Sequence, residues 1–113
     1  MHEMSVVINT VNMAEEYARK NGAEKITKIV LEIGEFNSVV PEYIRYFFPD
    51  VTEGTMLEGA ELVIETSIGM ARCRNCGTEY PWKKSGYRCP VCGSEECRII
   101  SGRDFVIREI SVQ

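Results

Sequence analysis

Between residues 4 and 21, apolar side chains recur three or four positions apart: Met4, Val7, Val11, Ala14 and Ala18, widened by Ile8 and Tyr17. That period gathers them on one face of an α-helix. Glu15 and Glu16 fall off the stripe and read as solvated neighbours, while Arg19 and Lys20 sit where cations suit a helix C-terminus. Asn21-Gly22 supplies the stop. The period then changes to two. Over residues 25–33, Ile29, Leu31 and Ile33 alternate with Lys28, Val30 and Glu32, which predicts a strand. Residues 34–38 break it. Pro41 suits the first position of a second helix, with Tyr43, Ile44, Phe47 and Phe48 as its apolar face. Pro49 is expected to end or kink that helix, because it has no N–H for the next turn. Residues 60–66 alternate again, with Leu62 and Ile64 against Glu61, Val63 and Glu65. Residues 105–112 do the same, except that Phe105 and Ile107 face one way and Ile110 and Val112 the other. That change around Arg108 and Glu109 predicts a bulge.

Between the last two strands lie Cys73, Cys76, Cys89 and Cys92, two C-x-x-C-G knuckles twelve residues apart. Glycine after each pair permits the tight turn that aims amide hydrogens at thiolate sulfur. Four thiolates at this spacing can close a tetrahedral site, the pattern of structural zinc. Disulfides and a redox pair are the competing readings. The expected fold is α+β: two helices on a small three-stranded sheet, with an inserted zinc-ribbon-like four-cysteine module. The boundaries follow as residues 1–70 plus 101–113 for the α/β part and 71–100 for the module. The final strand lies beyond the cysteines, so the chain leaves the main sheet, builds the metal site and returns.

Length adds little to this, since 113 residues suit one ordinary domain or a small domain with a metal-stapled module. No run of 18 apolar residues occurs and no charged segment precedes an apolar one, so a soluble cytoplasmic protein without membrane contact is expected. Cysteines in metal spacing also fit a reducing compartment better than a disulfide framework.

Charge is unevenly spread behind a net −4. From Arg72 to Arg108 there are eight basic residues against four acidic ones; the remainder has five against thirteen. Zinc with four thiolates would add −2 to the cysteine module and leave only a weak positive field, which argues against nucleic acid. The acidic remainder suits cations or a basic partner surface.

His2 is the only histidine. A terminal histidine is often merely solvated. Here the α-amine of Met1, the amide nitrogen of His2 and its imidazole can chelate one ion through adjacent small rings. Deprotonated amide nitrogens favour square-planar nickel(II) or copper(II) over zinc. Glu3 offers a further amide nitrogen and a carboxylate, and a bulky residue at position 2 discourages removal of Met1.

In order along the chain stand Met1-His2-Glu3-Met4-Ser5, Ile33-Gly34-Glu35, Pro41-Glu42, Gly59-Ala60-Glu61-Leu62-Val63-Ile64-Glu65, the two cysteine pairs and Ser101-Gly102-Arg103-Asp104-Phe105. That order resembles the HypA/HybF family of nickel metallochaperones, over essentially the whole chain. The resemblance implies a nickel-binding domain around the amino terminus, with nickel held through His2 and nearby backbone nitrogens (the Met1 amine among them) and Glu3 beside it. It also implies structural zinc on Cys73, Cys76, Cys89 and Cys92. Nickel would be transient cargo, delivered with a HypB-type GTPase to the hydrogenase large-subunit precursor, and in some bacteria to urease. Two features depart from the pattern. Pro49 is expected to alter the surface over residues 47–51, and Cys97 is a fifth cysteine, either a small half-buried apolar residue or an alternative zinc ligand.

A second class of function is a zinc-ribbon nucleic-acid-binding or transcription-associated protein, because Tyr80, Trp82 and Tyr87 interleave with Lys83, Lys84 and Arg88. The competing role for those aromatics is the core of a tiny module. No catalytic constellation or glycine-rich phosphate loop is present, so an enzyme is not expected.

Overall fold

The computed structural model describes residues 3–113. Its elements run α1 (Glu3–Lys20), β1 (Ile26–Gly34), α2 (Pro41–Thr52), β2 (Glu61–Ser67), β3 (Met70–Cys73), β4 (Glu79–Pro81), β5 (Cys97–Ile99) and β6 (Phe105–Val112). Two three-stranded sheets result, ordered β2-β1-β6 and β4-β3-β5. The chain divides into two compact units. The first takes the chain through Glu32, Ser38–Glu65 and Val106–Gln113, and the second takes Ile33–Asn37 and Thr66–Phe105. The second unit thus carries residues 33–37, a segment distant in sequence from its cysteines.

In the first unit α1 packs on α2. Val7, Val11, Ala14 and Ala18 of α1, Ile44 and Phe48 of α2, Ile29 and Leu31 of β1, and Leu57 make the core. The buried stripe of α1 is narrower than its apolar pattern, since Met4, Ile8 and Tyr17 are exposed. Polar residues complete it instead. Thr10 is buried with its hydroxyl donating to Val6 O (2.7 Å). Glu15, expected in solvent, has a side chain only 13% exposed. Its carboxylate accepts the Met56 N–H at 3.0 Å, which fixes the loop after α2. Glu16 is solvated as expected, at 67%.

Pro49 does not end α2, which runs on to Thr52. Proline removes one backbone bond and crowds the carbonyl four residues back. Both Pro49 and Arg45, whose carbonyl is freed, are exposed, so water can serve that group. The opposite face buries Ile44, Phe48 and Thr52 and carries the helix onward. The Thr52 hydroxyl also donates to Phe48 O at 2.8 Å. In β6 Phe105 and Ile107 are half-buried, Arg108 and Glu109 are both exposed, and Ile110 is half-buried again, so the burial phase changes where the alternation does. Arg108 bridges β1 and β2 through Glu32 (3.5 Å) and Glu65 (2.6 Å).

The second unit gathers sequence fragments that stand far apart. Gly34 N–H donates to Asp104 O (2.7 Å), Phe36 N–H to Gly102 O (2.7 Å) and Glu35 N–H to Ser67 O (2.9 Å). A Cβ on Gly34 would lie 2.1 Å from Gly102 O, so this approach of two backbones excludes every side chain. Among the described residues, no helix is long and apolar enough to cross a membrane.

Candidate metal centre

Each cysteine knuckle is built by the same local bonds. Cys73 N–H donates to Thr78 O (2.8 Å) and Gly77 N–H to Cys73 O (3.0 Å); Cys89 N–H donates to Ser94 O (2.9 Å) and Gly93 N–H to Cys89 O (2.9 Å). Gly77 (φ 81°) and Gly93 (φ 77°) take the left-handed conformation that closes each turn. Amide hydrogens then point at sulfur: Asn75 and Cys76 at Cys73 Sγ (3.4 and 3.5 Å), Val91 at Cys89 Sγ (3.4 Å). The first cysteine of each knuckle is buried and the second exposed.

The two knuckles bring all four sulfurs within 4.8 Å of one another. Cys73 and Cys92 Sγ stand 3.5 Å apart, and Cys76 and Cys89 Sγ 3.6 Å. A tetrahedron of sulfurs about a zinc ion has an edge of about 3.8 Å, so the donors are already spaced for such an ion. No disulfide forms; all five cysteines are free. Two of the four thiols are held toward the thiolate form a metal binds. At Cys73 the amide hydrogen bonds of Cys76 and Asn75 are outweighed by burial and the neighbouring thiols, which raise it. The Asn75 amide, the Ser94 amide hydrogen and the Cys73 thiol hold the Cys92 thiol down to about 6. The Thr78 hydroxyl, 3.1 Å away, lowers Cys76 from its ordinary value. These four cysteines form a cluster that can hold a metal ion.

Cys97 lies outside the cluster. It is half-buried and packs, with Trp82 and Ile99, against a small core of Ala71, Cys73, Tyr80 and Cys89. The aromatics expected to serve as core or as a nucleotide platform take the first role for the most part. Tyr80 is 1% exposed. Trp82 meets the rings of Phe36 and Tyr87 edge-on at 5.5 and 4.7 Å. Only Tyr87 is largely exposed among them. Burial, and then the neighbouring Cys97 thiol, push the Tyr80 hydroxyl up to about 12. That hydroxyl is buried, and its one neighbour of hydrogen-bonding kind is the Cys97 thiol, which does not meet ordinary hydrogen-bond geometry. The basic residues are partly spent as well, since Arg72 pairs with Glu79, Arg88 with Glu95 and Arg108 with Glu32 and Glu65.

The amino-terminal candidates fare differently. Met1 and His2 lie outside the described residues. Glu3 opens α1 and is 5% exposed, its Oε2 accepting the Val40 N–H at 3.3 Å. This contact ties the start of α1 to the start of α2, a tertiary role that local sequence could not reveal. Glu3 also lines a groove of ≈ 680 Å³ with Met4, Ser5, Glu42, Tyr43 and Tyr46 among its walls.

Comparison with known proteins agrees with the site chemistry. The family profile described as "Hydrogenase/urease nickel incorporation, metallochaperone, hypA" matches residues 1–112. The hydrogenase maturation factor HypA of Geobacter metallireducens is 38% identical over the whole of both chains. That of Aquifex aeolicus is 36% identical, covering all of this chain and 98% of the relative. The solution structure of the nickel metallochaperone HypA from Helicobacter pylori superposes with a TM-score of 0.71 at 27% identity, covering 99% of this chain and 97% of the other. With that match end to end and a four-cysteine metal site in place, the chain belongs to the HypA family of hydrogenase/urease nickel-incorporation metallochaperones.

Proposed function

We propose that the chain binds nickel(II) at its amino terminus as transient cargo and keeps zinc permanently on Cys73, Cys76, Cys89 and Cys92. The observation that carries this reading is the closure of the cysteine cluster. Four mutually adjacent sulfurs leave no open position for an ion that must be passed on. The cargo therefore needs other donors, and the only imidazole in the chain is that of His2. The Met1 amine and the His2 amide and imidazole nitrogens form a planar chelate, with Glu3 as neighbour. One Glu3 oxygen is already taken by Val40 N–H, which holds the start of α1, and Glu3 still offers its amide nitrogen and second carboxylate oxygen. In this reading residues 1–70 and 101–113 serve nickel, and 71–100 serve zinc. The protein works in the cytoplasm as a carrier and catalyses no reaction.

Nickel passes to its recipient by ligand exchange, in which an incoming donor takes a coordination position while protons return to the amide and amine. The acidic first unit favours a basic partner face, with association slowing as salt rises. Family membership supports a HypB-type GTPase as that partner and the hydrogenase large-subunit precursor, or urease, as the destination. Nickel titration followed by absorption tests the reading. One nickel per chain is expected, lost in His2→Ala and in a chain carrying one extra residue before Met1. Full nickel affinity in either would refute it.

A further inference from the structure

The fifth cysteine takes no part in the cluster, yet the second sheet sets it against one of the cluster's sulfurs. Cys73 on β3 and Cys97 on β5 are register partners. Arg74 N–H donates to Glu96 O (3.0 Å) and Ile100 N–H to Met70 O (2.9 Å). Those bonds occupy the alternate rungs of the ladder, which makes Cys73–Cys97 a rung without hydrogen bonds. On such a rung the Cα atoms approach to about 4.5 Å and the side chains share a face. A disulfide spans Cα separations of about 4.4–6.8 Å, so the backbone is already placed for one. Cys73 is 2% exposed and Cys97 half-buried, so of this pair a small oxidant reaches Cys97 first. Beside Cys97 is the Tyr80 hydroxyl, buried and with only the Cys97 sulfur, a weak acceptor, to receive its proton.

We propose that Cys97 is an oxidation site through which a hydroperoxide discharges the metal, by forming a Cys73–Cys97 disulfide that withdraws one of the four thiolates. The inference rests on the reading that these thiolates hold zinc. In the first step the Cys97 thiol attacks the peroxide, ROOH; the O–O bond breaks, ROH leaves, and Cys97 becomes a sulfenic acid. Its oxygen gives the Tyr80 hydroxyl a better acceptor than the sulfur it faces. In the second step the Cys73 thiolate turns from the metal to the Cys97 sulfur, the S–O bond breaks, and the departing hydroxide takes up a proton as water. Two sulfurs have together lost two electrons and the peroxide has gained them. Three thiolates remain, too few to hold the ion as tightly. A dithiol reverses the bond by exchange.

The test uses the full zinc-loaded chain and hydrogen peroxide, with released zinc read by a chromogenic chelator and the disulfide located by peptide mass mapping. Zinc analysis before oxidant checks the underlying reading separately, since a chain without zinc refutes that reading and with it the discharge. The native chain is expected to release its zinc as a linked Cys73–Cys97 peptide accumulates, and to rebind zinc after dithiothreitol. Cys97→Ser is expected to release zinc about tenfold more slowly. Release at the native rate from Cys97→Ser, or a native linkage joining only Cys73, Cys76, Cys89 and Cys92 among themselves, would overturn the proposal. The native peptide map decides the matter even if Cys97→Ser folds poorly.

Discussion

The two units solve the problem of holding a fold together in opposite ways. The first buries large aliphatic and aromatic side chains from two helices and a sheet, with Ile26, Ile29, Ile44 and Leu57 at 0–1% exposure. The second rests on a core of Ala71, Cys73, Tyr80 and Cys89, two of which are metal-binding cysteines. Its sheet strands are three or four residues long. Apolar burial on that scale cannot offset the chain entropy of some forty residues. In the proposed reading a metal on the four cysteines supplies the difference in the second unit. The same contrast separates the two proposed ions: one is buried into the fold, the other is carried on it.

Breaking the second unit alone should therefore have the largest effect. Structural zinc contributes on the order of 10 kcal/mol. Cys76→Ser combined with Cys97→Ser, which removes any substitute thiolate, is expected to leave residues 71–100 without stable structure while amide signals of the first unit persist. NMR amide spectra with and without a chelator check this, and unchanged signals from the cysteine segment would break the comparison. Acid should act in the same direction. A thiol held at about 6, as Cys92 is, favours the folded state fully only above its ordinary value of 9.0. That contribution falls away as pH drops through about 6. Because protons also compete with metal for every thiolate, zinc release is expected to rise as pH falls, in a chelator assay across pH, with the first unit still folded.

The reverse experiment strikes the first unit. Phe48→Ala removes a 6% exposed ring and is expected to cost about 3–5 kcal/mol. Thermal unfolding should show the first unit melting earlier while zinc content stays constant. A smaller effect should follow Glu15→Ala, which strands the Met56 N–H that its carboxylate serves. A loss of about 1–3 kcal/mol is expected, measured by chemical denaturation. Glu16→Ala, at an exposed site, should change little.

How much of this could be read from sequence also differs between the units. In the first, periodicity located α1, the start of α2 and the main strands to within a residue or two, because long elements repeat their burial signal. It misjudged Glu15 as solvated and Pro49 as a possible helix end, and it did not show the contact of Glu3 with Val40, for one shared reason. Whether a glutamate is solvated or a proline tolerated depends on what packs opposite, and that is tertiary information. In the second unit the cysteine spacing exposed the metal cluster at once, since ligand chemistry is written in residue type. The strands β3, β4 and β5 were illegible, being too short for a period to show. Nor could sequence show that Gly34 meets Gly102, or that Cys97 stands opposite Cys73. Register across a ladder is set by the folded sheet and not by spacing along the chain.

The claim that the two units serve two different ions is tested most directly by counting both metals in one sample. Native mass spectrometry of the untagged chain, loaded with zinc and then nickel, should show one of each. His2→Ala should lose nickel and keep zinc, and Cys76→Ser with Cys97→Ser should lose zinc and keep nickel. If His2→Ala retains its nickel, or if the cysteine variant loses both ions together, the division of labour proposed for this chain is wrong.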